Sequence, residues 1–133
     1  PEQMQGRSWR PLLERVNAEP PADWRTSYFY EYFFERSYKI PTVFAVRTET
    51  AKLIRYPGHP DWTEAFNLKA DPYEMTNLAA DPTANKFRQD LESEYDRLQK
   101  QVEFRIPDYA DKPGDVEAST TQPKTKKSGK ARK

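Results

Sequence analysis

Apolar residues recur with a period of two in the middle of the chain and with a helical period further on. Phe87, Leu91, Tyr95, Leu98 and Val102 are spaced four, four, three and four apart. That spacing puts them on one stripe of an α-helix. Asp81-Pro82 marks its approach, since aspartate caps a first turn and proline suits the first helical position. The helix should end before Pro107. Arg88–Glu92 and Asp96–Lys100 set opposite charges four apart on its polar side, a spacing that supports a helix.

Upstream the period changes. Thr42–Thr48 alternates, with Phe44 and Val46 facing one way and Val43, Ala45 and Arg47 the other. Lys52–Tyr56 alternates as well, with Ile54 opposed to Leu53 and Arg55. Such alternation predicts half-buried strands. The short link between them predicts a hairpin, although Glu49-Thr50 lacks the glycine favoured in the tightest turns. Thr63–Leu68 reads as a further strand. Trp24–Phe34 is a run of aromatics that predicts a strand buried, at least in part, on both faces.

Two shorter signals flank these strands. Trp9, Leu12, Leu13 and Val16 make a helical stripe behind Ser8 as N-cap, stopping before Pro20-Pro21. Asp71-Pro72-Tyr73-Glu74 has the form of a capping box with aspartate as cap, predicting a brief helix that ends near Leu78. The fold class that follows is α+β. About four antiparallel strands carry one long C-terminal helix on one face, with a short N-terminal helix outside. The expected division is a short helix and linker over 1–22, an α+β unit over 23–105 and a disordered tail over 106–133.

Composition changes the picture in two places. Charged residues reach 32% and mean hydropathy is −1.08, values that evenly spread would argue for disorder. The aromatics, 14% of the chain, are instead concentrated between Trp9 and Phe104, enough for a core. The net charge of +1 hides a split: residues 112–133 carry seven basic and two acidic side chains, leaving the body at −4. A basic tail without aromatic residues fits weak affinity for polyanions. An autonomous module for anionic polymers, a sulfated glycan or nucleic acid, is therefore one functional reading, although the body shows no nucleic-acid motif. There is no cysteine, so disulfides, thiolate metal sites and thiol nucleophiles are excluded. No apolar run approaches the length of a membrane span.

Several pieces, taken in order, resemble the carboxy-terminal segment of type I sulfatases, the arylsulfatase and N-sulfoglucosamine sulfohydrolase group. They are Gln5-Gly6-Arg7-Ser8 with Pro11-Leu12-Leu13, Trp24-Arg25 with Tyr30-Glu31-Tyr32, and Val46-Arg47-Thr48 with Lys52-Leu53-Ile54-Arg55-Tyr56. Phe66-Asn67-Leu68, Asp71-Pro72-Tyr73-Glu74 and Asn77-Leu78 complete the series. The resemblance implies hydrolysis of a sulfate ester or sulfamate by a parent enzyme that uses calcium and a formylglycine nucleophile. The nucleophile arises from a Cys/Ser-x-Pro-x-Arg motif, which is missing from this sequence. The resemblance thus implies a supporting subdomain of a longer gene product, inactive alone, with no catalytic or metal residue of its own. The resemblance implies an N-terminal catalytic domain and a sulfated substrate, a glycan among the candidates, as partners, and relatives are commonly exported.

The segment before Arg47 lies near the substrate mouth in relatives and often carries a histidine. Here it reads Thr42-Val43-Phe44-Ala45, without one. Thr42, Phe44 and Arg47 are the candidate substrate contacts on this resemblance. For Arg47 a structural ion pair, with Glu31 or Asp71, is the competing reading. His59 in Pro-Gly-His-Pro reads as an exposed loop residue, because a metal site needs several ligands. Tyr28–Phe34 is the candidate for an apolar surface that a partner covers.

Overall fold

The computed structural model describes residues 6–14, 20–33 and 40–106. Four strands form one antiparallel sheet in the order β1-β2-β3-β4: β1 (Ser27–Tyr32), β2 (Val43–Thr48), β3 (Ala51–Arg55) and β4 (Glu64–Asn67). A four-residue helix, α1 (Arg10–Leu13), precedes the sheet, and a 17-residue helix, α2 (Asn85–Gln101), follows it. The predicted α+β architecture is the one observed. No helix among the described residues is long and apolar enough to cross a membrane. The basic tail lies outside the described residues.

One face of the sheet meets α2. Cross-strand partners share a face, so Phe29, Val46, Leu53 and Ala65 form one row beneath the helix. Val46 and Leu53 are fully buried there, against Leu91, Tyr95 and Leu98 from α2. Those three are the centre of the predicted helical stripe, with Phe87 packed at the core margin. Phe29, Phe44 and Phe104 pack with centroids 4.8 to 6.3 Å apart.

Strand β1 departs from the expectation of two buried faces. Phe29 and Phe33 pack into the core while Tyr28 and Tyr30 each keep 47% of their surface exposed. The reason is positional: β1 is an edge strand of a sheet that α2 covers on one side only. The β2–β3 hairpin manages without glycine because Thr48 Oγ1 accepts hydrogen bonds from the amides of Ala51 at 3.0 Å and Thr50 at 3.3 Å. Its side chain closes the turn, and neither Glu49 nor Thr50 needs a positive φ.

The two predicted caps behave differently. Asp81 caps as expected: its carboxylate accepts the Thr83 amide at 2.8 Å, and a 3-10 turn at Pro82–Ala84 leads into α2. Asp71 does not start a helix. Its carboxylate accepts the amide of Thr76 at 2.8 Å, and Glu74 has φ 57°. The Glu74 side chain is drawn to Lys52 on β3, and that tertiary ion pair displaces the local capping box.

Helix α2 ends in a Schellman motif. The Phe104 amide donates to Gln99 O at 3.0 Å and the Glu103 amide to Lys100 O at 3.1 Å. Glu103 takes the left-handed position with φ 50°. The turn delivers Phe104 back onto Phe29 and Phe44. At the other end of the chain, Ser8 Oγ accepts the Arg10 amide at 3.3 Å, but the predicted stripe finds no core: Trp9 and Leu13 are both 71% exposed. Val16 lies outside the described residues.

Candidate functional site

The sheet face opposite α2 carries the other parity of side chains. One cross-strand row reads Tyr28, Arg47, Lys52, Phe66. Two cations thus stand side by side between two aromatic rings. Lys52 is committed, since it pairs with Glu74 and lies 5.5 Å from the Phe66 ring centre. Arg47 is exposed, and its side chain makes no hydrogen bond or ion pair with any described residue. The two carboxylates considered for it are engaged elsewhere or turned away. Glu31 is opposite Phe44, on the α2 side of the sheet, and Asp71 holds the Thr76 amide.

Arg47 borders a groove of about 380 Å³, walled by Pro20, Pro21, Trp24, Arg25 and Tyr28. Arg25 likewise has no hydrogen-bonded or ionic partner among the described residues. Two guanidinium groups without an ionic partner among the described residues therefore flank one concavity, beside an indole and a phenol, with the Glu49 carboxylate also on its rim. Guanidinium forks match the oxygens of sulfate, carboxylate or phosphate, and aromatic rims give a sugar ring an apolar surface. The arrangement can bind an anion. It offers no nucleophile of its own.

The three residues expected to contact substrate are not brought together. Phe44 is 3% exposed and packs among Phe29, Phe33 and Phe104 beneath α2. Thr42 is buried just before β2. Arg47 is three positions beyond Phe44 and on the opposite face. Its neighbours are instead Tyr28 and Arg25, which sequence reasoning assigned only to a strand and its approach. A signal for Tyr28 was available: Tyr28, Tyr30 and Tyr32 share one parity, Phe29 and Phe33 the other. Hydroxylated rings belong where one end stays wet.

Other titratable groups have structural partners. Ser27 Oγ donates to the Glu94 carboxylate, which also takes Arg97 Nε at 2.7 Å. Arg97 above all holds the Glu94 carboxyl below the usual carboxylate range; burial opposes it, and the Ser27 hydrogen bond adds a smaller lowering. Tyr56 donates to Glu64 at 2.6 Å. Burial first, and then Glu64, push its hydroxyl up to about 12. His59 stacks on Trp62 with centroids 4.0 Å apart. Among the described residues no group of three or more His, Asp or Glu could hold a metal ion. The described side chains therefore do not fit calcium.

Residues 1–101 match the family described as N-sulphoglucosamine sulphohydrolase, C-terminal. The chain belongs to this family. It is also similar to an N-acetylglucosamine-6-O-sulfatase of Bacteroides thetaiotaomicron, 32% identical over 109 residues, or 81% of this chain and 19% of that protein. The solved structure of BT4656 in complex with its substrate D-glucosamine-2-N,6-O-disulfate superposes with TM-score 0.70 at 33% identity, covering 82% of this chain and 22% of that one. A further relative is the multifunctional alkaline phosphatase superfamily protein PehA of Trinickia caryophylli, 32% identical over 94 residues, 62% of this chain and 17% of PehA. The chain spans about a fifth of the length of these relatives. The sulfatase C-terminal segment seen in the sequence is thus the family found, with the sheet and long helix read from its periodicities.

Proposed function

We propose that this sulfatase C-terminal segment is the supporting subdomain of a sulfuric ester or sulfamate hydrolase. It docks on the catalytic region through the sheet face that α2 leaves bare and presents Arg47 and Arg25 to the edge of the substrate cleft. The observation that carries the reading is Arg47 itself. It is an exposed guanidinium without an ionic partner, on the uncovered face of a subdomain whose family is that of sulfatases. Calcium and the formylglycine nucleophile belong, on this reading, to the catalytic region. The substrate is a sulfated sugar, in keeping with the amino-sugar sulfate named for two relatives. The half-exposed rings of Tyr28 and Tyr30 give the docking face the aromatic character common at interface cores.

A chromogenic aryl sulfate assay tests the division of labour. The 133-residue chain, with calcium supplied, is expected to show no turnover. Calcium-dependent turnover by the chain alone would overturn the reading.

A further inference from the structure

The segment after β4 has the chemistry of a capping box but uses it to hold a loop. Asn67 O accepts the Asp71 amide at 2.8 Å, and Asn67 Oδ1 accepts the Ala70 amide at 3.1 Å. Asp71 O accepts the Glu74 amide at 3.1 Å, and the Asp71 carboxylate accepts the Thr76 amide at 2.8 Å. At the far end Asn77 accepts the Ala65 amide of β4 at 2.9 Å and donates to Thr63 O at 3.1 Å. Between these ties Glu74 takes φ 57° and turns its carboxylate to Lys52 on β3.

Two large apolar side chains of the loop stay outside this framework. Tyr73 is 84% exposed and Met75 81%, more than any other large hydrophobic residue described. Single apolar residues on a surface need no explanation. These two flank Glu74, whose left-handed backbone persists because the Lys52 pair and the hydrogen bonds around it hold it there. A loop ordered in advance loses little freedom when it is covered. Aromatic residues and methionine are enriched where proteins meet.

The loop is fixed to the sheet face that α2 leaves bare, since Lys52 stands in the row with Tyr28, Arg47 and Phe66. In the relatives the matching segment is about a fifth of the polypeptide, and the rest supplies a surface to cover it. We propose that Tyr73 and Met75 are the anchors that seat this segment on the sulfatase catalytic region. Both enter an apolar recess of that region, with a polar group at its edge for the Tyr73 hydroxyl. The Lys52–Glu74 pair between them is neutral as a unit, so the recess needs no counter-charge. The inference rests on the docking assigned above and adds the residues that carry it.

Peroxide footprinting tests it. Hydrogen peroxide transfers one oxygen atom to the Met75 thioether, giving the sulfoxide and water, at a rate that follows exposure. In the 133-residue chain Met75 should react about as fast as free methionine. In a polypeptide that joins the segment to a sulfatase catalytic region and hydrolyses the aryl sulfate, it should react at least about tenfold more slowly. Equal rates in the two overturn the proposal. Hydroxyl-radical labelling of Tyr28 and Tyr30 in the same samples separates the two readings. Protection there without protection of Met75 keeps the docking face and removes the anchors, whereas protection at none of the three removes the docking itself. Slowing of Met75 in the chain alone as concentration rises would assign the surface to a second copy, which also overturns the proposal. Tyr73→Ser with Met75→Ser should leave the urea midpoint of the chain unchanged and lower that of the joined polypeptide. A lowered midpoint in the chain alone would show that the two side chains serve its own fold, against the proposal.

Discussion

The Arg55 guanidinium sits 4.6 Å from the centre of the Tyr95 ring, and its Nη2 lies 3.7 Å from the Glu92 carboxylate. This contact locks β3 to α2 at the rim of the core. Tyr95 is 4% exposed and meets Phe29 edge-on at 5.3 Å. Removing its ring leaves a cavity at the sheet–helix junction, whereas removing Arg55 forfeits a partly solvated cation–π contact and a long, solvent-screened ion pair with Glu92. Tyr95→Ala should lower stability by about 3–5 kcal/mol, and Arg55→Ala by about 0.5–1 kcal/mol. Urea denaturation followed by circular dichroism measures both. Equal losses would mean that the ring does not anchor the helix.

Glu103 offers a change in the other direction. It holds the left-handed position of the Schellman motif, where a Cβ is strained and glycine is not. Glu103→Gly should raise stability by about 1 kcal/mol, part of it offset by the freer unfolded chain. The same denaturation experiment reads the sign. A loss would show that the Glu103 side chain contributes more than its backbone costs.

The alternating strands and the helical stripe were legible because each period maps directly onto one buried face. Leu91, Tyr95 and Leu98 could be placed on one apolar stripe from spacing alone, whereas Val46 and Leu53 could be placed on one face of their strands but not on the buried one. What could not be read was tertiary. Asp71-Pro72-Tyr73-Glu74 has the local chemistry of a capping box, yet Lys52, distant in sequence, takes Glu74 for itself. Trp9 and Leu13 have the right spacing for a buried stripe but no apolar surface to meet. Arg47, read as a substrate contact or as half of an ion pair, stands exposed with no ion pair to a described residue, while Phe44, two residues before Val46, shares that residue's buried face and belongs to the core. Its neighbours Arg25 and Tyr28 come together with Arg47 only through strand pairing, which a linear pattern does not display.

Tyr56 predicts a pH dependence. Its hydroxyl is raised to about 12 by burial and by Glu64. A group raised on folding supports the fold fully below its unfolded value of 10.0 and loses that support as pH climbs toward 12. Ultraviolet difference titration of the eight tyrosines should show one late group that disappears in Tyr56→Phe. Tyr95, raised chiefly by its burial, should also titrate late and remain in that variant. Disappearance of no late group on Tyr56→Phe would contradict the Tyr56–Glu64 contact.

Acid should act through Glu94. Its carboxyl is depressed, chiefly by Arg97 and with help from Ser27. A depressed carboxylate supports the fold above its unfolded value of 4.5 and gives way as pH falls through the lower folded one. The wild-type chain should therefore lose more stability below pH 4.5 than Glu94→Gln does. Thermal melts at a series of pH values compare them, and parallel curves would show that the Ser27–Glu94–Arg97 cluster adds nothing to the joint between β1 and α2.

The role proposed for Arg47 is open to a kinetic test in a polypeptide that joins this segment to a sulfatase catalytic region. Arg47→Ala there removes one charge-assisted contact to an anionic substrate, worth about 10- to 100-fold in kcat/KM. The loss should fall mainly on KM for a sulfated sugar and leave the melting temperature unchanged. Unaltered kcat/KM for every sulfated sugar tried would contradict the placement of Arg47 at the substrate cleft.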